Sequence, residues 1–242
     1  MLFRNQIMSP NPKKTLMGLL FLVFITPIMA CDWSPEQPNV PDSTTICHPE
    51  LMIVFDETVK LPVMSYAIHT QEQVWTLEGG RKEFIYDPNI SKEEQYSPHD
   101  DVYKTPMSRG HLTPSDIMSY DKTPDGPWYS TYYITNVLPQ NAKMNEDVWA
   151  HFEKKVIDTL KSMPNGTSWE VYTGGYWNGT RDTNPDYFWK AFCHRESCSS
   201  GLIMASHESE PQWTTHAVGD YWNIFTECCP EHYNEDWDSV RL

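Results

Sequence analysis

The stretch from Ser108 to Glu153 limits, more than any other, what this chain can fold into. It holds a histidine directly after an Arg-Gly pair, then a run of β-branched and aromatic residues, and then apolar residues that recur every four positions. A β-branched run favours a strand, and a repeat close to 3.6 residues indicates an amphipathic helix. The stretch therefore predicts two strands followed by a helix, with polar side chains near the junctions.

The predicted helix is the best defined of these elements. Glu146 and Asp147 lie in its first turn, where carboxylates are favourable, and the Pro-Asn-Gly sequence at 164–166 ends it. One apolar face is formed by five residues: Met144, Val148, Phe152, Val156 and Leu160.

Other apolar runs of four to eight residues predict further strands. Residues 51–55 and 62–68 are two of them, and 187–192 with 201–205 form a hairpin. Three more are predicted with defined breaks: 109–113 with a turn at Gly110, 131–137 ended by Pro139, and 169–173 ended by Gly174 and Gly175. Residues 87–107 are typical of a loop, and nothing orders residues 206–242.

Residues 1–30 are predicted to be a secretory signal peptide. Three basic residues precede an apolar run at 16–28 that is too short to cross a bilayer comfortably, and Ala30 is suited to cleavage. An uncleaved anchor is one alternative, and a bacterial lipid-anchored Cys31 is another. The expected organisation is a Pro-rich, irregular N-terminal arm at 31–50 and one domain at 51–242. The mature protein is expected to be extracellular, with no membrane association after cleavage.

Cysteines and glycosylation sequons also favour export. Six cysteines follow the signal peptide, and an even number in an exported chain indicates disulfides, although 15 pairings are open. Cys193 and Cys198 could close the loop of the predicted hairpin. No C-x-x-C pair is present, which argues against a structural zinc site. Three sequons favour a eukaryotic secretory route: Asn89, Asn165 and Asn178.

Acidic residues outnumber basic ones by 33 to 18, for a net charge of −15. The three basic residues of the signal peptide leave with it, so the mature chain has 15 basic and 33 acidic residues and a net charge of −18. Such a charge opposes binding to nucleic acid. A polyanionic substrate would therefore need a local basic groove and a metal ion to offset the repulsion.

Three side chains in the stretch 108–153 are nevertheless typical of phosphodiester hydrolysis. This reaction needs a general base that works near neutral pH and a cation that stabilises negative charge. His111 is the candidate base, since the pKa of free imidazole is about 6.5, and Arg109 beside it can neutralise a phosphate. Mg²⁺ needs only one or two protein oxygen ligands, so the amide of Asn145 is sufficient.

Each candidate also has a purely structural interpretation. A histidine is more often structural than catalytic, and Asn145 is a favoured type of helix N-cap. Glu153 could pair with a lysine on the helix surface, while Asn136 and Gln140 could satisfy backbone groups at a strand end. On an ideal helix, Glu153 lies about 80° around and about 12 Å along the axis from Asn145, which allows it to approach a metal's water shell from the same side.

The order of these residues closely resembles the DNA/RNA non-specific endonuclease family, the ββα-metal nucleases. The matching motifs are R-G-H ending at His111, N-x-x-x-Q from Asn136 to Gln140, and N-x-x-x-W-x-x-x-E from Asn145 to Glu153. Segments 171–174 and 185–190 also look like later strands of the family, so the resemblance covers roughly residues 60–205.

The resemblance implies an α+β fold, in which a central antiparallel sheet with flanking helices carries a ββα finger that holds one divalent ion. The ion would be Mg²⁺, with Mn²⁺ as the alternative. His111 would be the general base, Asn145 the direct metal ligand, and Glu153 would position metal-bound water.

The resemblance also implies that DNA and RNA are the substrates. Arg109 and Asn136 would support substrate or transition-state charge. Gln140 would contact the substrate, as would Arg81 or Lys82, for which the alignment is loose.

Two positions depart from the family's pattern. Ser108 stands where the family usually has aspartate, although some mitochondrial relatives also have serine there. Ile157 stands where the family has a basic residue, one helical turn after the glutamate. An alternative function is therefore a secreted protein-binding scaffold that has lost catalysis. The presence of His111, Asn145 and Glu153 favours the enzyme.

Overall fold

The computed structural model describes Cys31 and residues 42–194, 199–206 and 213–216. The strands in these residues are β1 (Ser43–His48), β2 (Leu51–Asp56), β3 (Leu61–Thr70), β4 (Met107–His111), β5 (Val137–Asn141), β6 (Ser168–Tyr176), β7 (Tyr187–His194), β8 (Ser199–Ser206) and β9 (Trp213–His216). Seven of them form one antiparallel sheet in the order β1-β2-β3-β6-β7-β8-β9, and β4 pairs with β5 separately.

The helices are short apart from one. They are α1 (Gln71–Trp75), α2 (Pro127–Thr131) and α3 (Ala150–Ser162), and a π-helical turn at Met144–Trp149 leads into α3. Single 3-10 turns occur at Lys92–Glu94, Asp101–Tyr103 and Ile134–Asn136. Within the described part of the chain, no helix has the length and apolarity needed to span a bilayer.

The large sheet is buried on both faces, because successive side chains of a strand point to opposite sides. All six residues of β2 are buried. One face packs against α3 through Phe152, Val156 and Leu160. The other face forms a second apolar cluster that includes Cys31, Tyr66 and Trp189.

A ββα unit lies against this sheet and carries the predicted site. β4 and β5 are antiparallel, with His111 opposite Val137, and the helical segment follows β5 directly. Its apolar residues pack on Phe188 of β7 through a shared cluster: Leu112, Leu138, Met144 and Trp149. The predicted α+β class, with a central antiparallel sheet, flanking helices and a ββα unit, is confirmed.

The strand predicted at residues 131–137 is wrong. Thr131 ends α2, Ile134–Asn136 form a 3-10 turn, and the strand begins only at Val137. β propensity is weak compared with burial, and Tyr132 and Ile134 are buried in this turn. Pro139 does not end the strand but lies inside β5 opposite Arg109. Proline is tolerated there because β5 pairs on one side only.

The turn predicted at Gly110 and the strand end predicted at Gly174 and Gly175 are also wrong. Gly110 lies inside β4 without a turn, and a Cβ atom there would lie 2.0 Å from the Gln140 side chain. Gly174 and Gly175 lie inside β6, and a Cβ on Gly174 would lie 2.6 Å from both the Trp189 ring and the Val63 carbonyl oxygen. In both places glycine permits close packing rather than a change of direction.

The N-terminal arm is more regular than predicted, because residues 43–48 pair with β2 as strand β1. A disulfide joins Cys31 to Cys47 and so attaches the start of the arm to the sheet. Cys193 is also disulfide-bonded. Its predicted partner Cys198 lies outside the described residues, as do Cys228 and Cys229.

Candidate active site

A hydrogen-bond chain fixes the orientation of the Asn145 amide. Asn145 Nδ2 donates to Ser108 Oγ at 3.0 Å, and Ser108 Oγ donates to the backbone carbonyl oxygen of Gln140 at 3.3 Å. Since Ser108 uses its proton on the carbonyl, it can only accept from the amide, and this assigns the Nδ2 side. The Oδ1 atom of Asn145 is left available as a ligand.

Asn145 is not the helix cap that its sequence position suggested. Asn141 takes that role, because its Oδ1 accepts from the backbone N–H of Lys143 at 3.0 Å and of Met144 at 3.3 Å. Asn145 instead lies in the π-helical turn, a local widening that is frequent at functional sites. The four-residue repeat predicted that Val148 lies on the buried face of the helix. In the structure Val148 is only half-buried, and Trp149 is buried instead.

His111 ends β4 in an aromatic pocket. Its ring centre lies 4.8 Å from that of Phe84 and 5.3 Å from that of Tyr132. The ring is half-buried, and its Nε2 atom is closed to solvent without a hydrogen-bond partner. Burial, together with the charges of Arg81 and Lys190, lowers the pKa of His111 to about 3. The imidazole is therefore neutral at physiological pH.

Basic side chains surround this histidine in spite of the acidic composition. Arg109 shares its strand, donates through Nη1 to the Pro98 carbonyl at 2.8 Å, and lies 5.3 Å from the Phe84 ring. Arg81 is exposed, and its charge acts on His111. The Lys82 ammonium lies 3.0 Å from the centre of the Tyr129 ring, and burial lowers its pKa. Of these three cations, Arg109 is on the strand of His111 and Arg81 acts on it through its charge, whereas Lys82 contacts Tyr129.

Glu153 meets a buried lysine that the sequence analysis did not single out. Lys190 Nζ lies 3.6 Å from Glu153 Oε1, within ion-pair reach but longer than a hydrogen bond. Burial raises the pKa of Glu153 and lowers the pKa of Lys190, and each charge partly offsets the effect on the other. His69 lines the same small cavity, and burial, with the Lys190 charge, lowers its pKa to about 3.

A sequence signal for Lys190 does exist. It is the one charged residue in the apolar run 187–192, and a lysine is almost never fully buried unless it is paired. His69 has no comparable signal. A strand pattern predicts that a residue is buried, but it does not predict which side chains that residue contacts.

Asn136 and Gln140 lie beneath the surface. Asn136 is fully buried, and its amide accepts from the Thr113 N–H at 3.0 Å and donates to the carbonyl oxygens of Thr113 and Thr131. These bonds satisfy backbone groups, which was the structural alternative for this residue. Gln140 is fully buried over Gly110, and neither atom of its amide has a hydrogen bond. In this arrangement both side chains are buried next to the backbone of β4 and β5.

The donor atoms near the helical segment fit a hard divalent cation. Such ions prefer amide and carboxylate oxygens. The bond to Ser108 uses Asn145 Nδ2 and leaves Oδ1 for a cation, and Glu153 Oε1 is buried without a hydrogen bond, a costly state that a nearby cation and its waters would relieve. No cluster of three His, Cys, Asp or Glu side chains occurs among the described residues.

Comparisons with a family model, with curated proteins and with solved structures each give a match. The family model described as DNA/RNA non-specific endonuclease matches residues 35–219. The mitochondrial nuclease EXOG of Danio rerio is 28% identical over 103 residues, which are 42% of this chain and only 29% of the relative's length. In the solved EndoG/EndoGI complex, one chain aligns with a TM-score of 0.55 at 17% identity, covering 68% of this chain and 74% of that one. At that identity the solved structure supports the fold alone.

Proposed function

Because the chain belongs to the DNA/RNA non-specific endonuclease family, we propose that it is a secreted, Mg²⁺-dependent endonuclease that hydrolyses phosphodiester bonds of DNA and RNA. The observation that carries this proposal is the hydrogen-bond chain from the Gln140 carbonyl through Ser108 to Asn145. Through Ser108, strand β4 orients the amide of Asn145. The same strand ends in His111, whose imidazole is neutral.

His111 would act as the general base. Its lowered pKa keeps the imidazole unprotonated, so it is ready to take a proton from the attacking water. A pKa near 3 makes it a weak base in the free protein. A phosphate bound beside it favours the imidazolium and raises the pKa, so the imidazole becomes a stronger base when substrate is present.

Asn145 and Glu153 would hold the metal ion and its surroundings. Bound Mg²⁺ supplies positive charge that stabilises the phosphoryl and leaving oxygens. Asn145 Oδ1 would be the protein ligand, and the Glu153 carboxylate would accept hydrogen bonds next to it. Ser108 stands where the family usually has aspartate, and its hydroxyl would orient the Asn145 amide without adding a negative charge.

Arg109, Arg81 and Lys82 would bind the phosphate backbone. Contacts of this type carry no sequence information, which accords with a nuclease that accepts both DNA and RNA. The net charge of −15 opposes binding to nucleic acid. Cations concentrated at one site would offset this repulsion locally.

The secretory route is supported by covalent features. The Cys31–Cys47 disulfide requires an oxidising compartment, and Cys31 directly follows the proposed cleavage site. The sequon residues Asn89, Asn165 and Asn178 are exposed, as glycan acceptors must be. Sequencing the N-terminus of the protein recovered from the medium of a eukaryotic host tests this part. A protein that stays in the cell with Met1 would contradict it.

The test of activity is cleavage of plasmid DNA and of ribosomal RNA by the purified mature protein. We expect both to be degraded in Mg²⁺, to be protected by EDTA, and to be degraded again when excess Mg²⁺ is restored. His151→Ala, which alters an exposed histidine on α3, serves as the control for His111→Ala. Cleavage that persists in EDTA would refute the metal dependence. No cleavage under any condition would favour the inactive scaffold.

A further inference from the structure

Lys190 is a buried cation placed between the two halves of the proposed site. Its side chain is 2% exposed, and Nζ donates to the Leu112 carbonyl at 3.0 Å and to Thr173 Oγ1 at 2.9 Å. The third neighbour of Nζ is Glu153 Oε1 at 3.6 Å, on a side chain that is 20% exposed. Leu112 directly follows His111, the last residue of β4, so one ammonium group contacts both the backbone next to the base and the carboxylate on α3.

Stability alone does not account for a lysine at this position. Burying an ammonium is costly, and replacing a buried ion pair by apolar residues of similar volume is often neutral or stabilising. The surroundings would suit such a replacement, because Val156, Ile157 and Phe192 line the same cavity. Among the described residues, no other lysine or arginine lines it, so Lys190 is the cation that this part of the chain offers to Glu153.

We propose that Lys190 is a positioning residue that holds the Glu153 carboxylate in place beside the metal site. This inference rests on the proposed nuclease function. The hydrogen bonds to Leu112 and Thr173 fix Nζ, and the fixed charge then attracts one oxygen of a carboxylate that is itself largely buried. The cation does not touch substrate. It acts through Glu153, and it also ties β7 to the backbone that follows His111.

The test is a double-mutant cycle of Lys190→Met and Glu153→Gln, read out as kcat and KM on a defined DNA substrate. Lys190→Met keeps an unbranched side chain that is one atom shorter and removes its charge. Residues that hold a metal's ligands or waters typically contribute 10- to 100-fold to activity, so we expect kcat to fall by about that factor while KM changes less than about threefold. In the Glu153→Gln background, the same substitution should lower kcat by less than about threefold. Lys154→Met is the matched control, because Lys154 is adjacent to Glu153 but exposed.

A second cycle with the same variants measures the free energy of unfolding in urea and does not depend on activity. Coupling between the two positions in both cycles supports the inference. Equal losses of kcat in both backgrounds, or a Lys190→Met variant that keeps more than half of its kcat, would overturn it. If Lys190→Met fails to fold, Thr173→Val takes its place, since it removes one acceptor that fixes Nζ, and the same rules apply. If the wild type does not cleave nucleic acid, the proposed function is refuted. The coupling free energy from the unfolding cycle then shows whether Lys190 and Glu153 interact.

Discussion

Gly110→Ala should disrupt the site from within β4, and its cost can be worked out from the structure. An added Cβ atom would lie 2.0 Å from both Cδ and Oε1 of Gln140 and 2.4 Å from Cγ. Favourable contacts between carbon atoms begin at about 3.5 Å, so the Gln140 side chain would have to move by more than about 1 Å. Gln140 is fully buried, so it has no open space to enter. Overpacking of this kind typically costs about 1–3 kcal/mol.

Urea unfolding of the purified protein measures this cost. The informative comparison is Gly110→Ala made in the wild type and in a Gln140→Ala background, where the clashing atoms are absent. We expect the substitution to cost about 1–3 kcal/mol less in that background, because two residues in direct contact are coupled. Nuclease activity should fall along with stability in the single variant, since Ser108 and His111 lie on either side of Gly110. An unchanged free energy of unfolding, or the same cost in both backgrounds, would refute the packing argument.

Four further outcomes are expected. His111→Ala should lower kcat by at least about 100-fold while nucleic-acid binding by gel shift persists, and a variant that keeps a tenth of the rate would contradict the role of the base. Asn145→Ala should lose activity that partly returns at higher Mg²⁺, and a loss independent of Mg²⁺ would exclude a metal ligand. Burial holds the pKa of His69 at about 3, below the unfolded value of about 6.5, so the unfolded chain gains the proton first as the pH falls. Stability is then lost from about pH 6.5 downwards, and between pH 7 and 5 the wild type should lose about 2 kcal/mol more than His69→Leu in urea unfolding. Activity should fall as salt rises from about 50 to 200 mM, and a steady increase up to molar salt would contradict phosphate contacts.

The amino-acid sequence by itself determined the elements whose signal is local. The four-residue apolar repeat located the long helix, and the apolar runs at 51–55 and 62–68 located β2 and β3. The order of motifs was sufficient to identify the family. The cysteine count predicted disulfides, but it left the pairing of Cys31 with Cys47 open among 15 alternatives.

Tertiary structure alone decided the features that join distant residues. The 131–137 run has strand-forming residues, yet burial of Tyr132 and Ile134 holds it in a turn. Gly110 is a glycine because of Gln140, thirty residues away, and Asn145 is oriented by Ser108 rather than used as a cap. Lys190 on β7 of the large sheet reaches Glu153 on α3. Periodicity and propensity describe neighbours along the chain, whereas packing and charge depend on neighbours in space, which only the folded chain brings together.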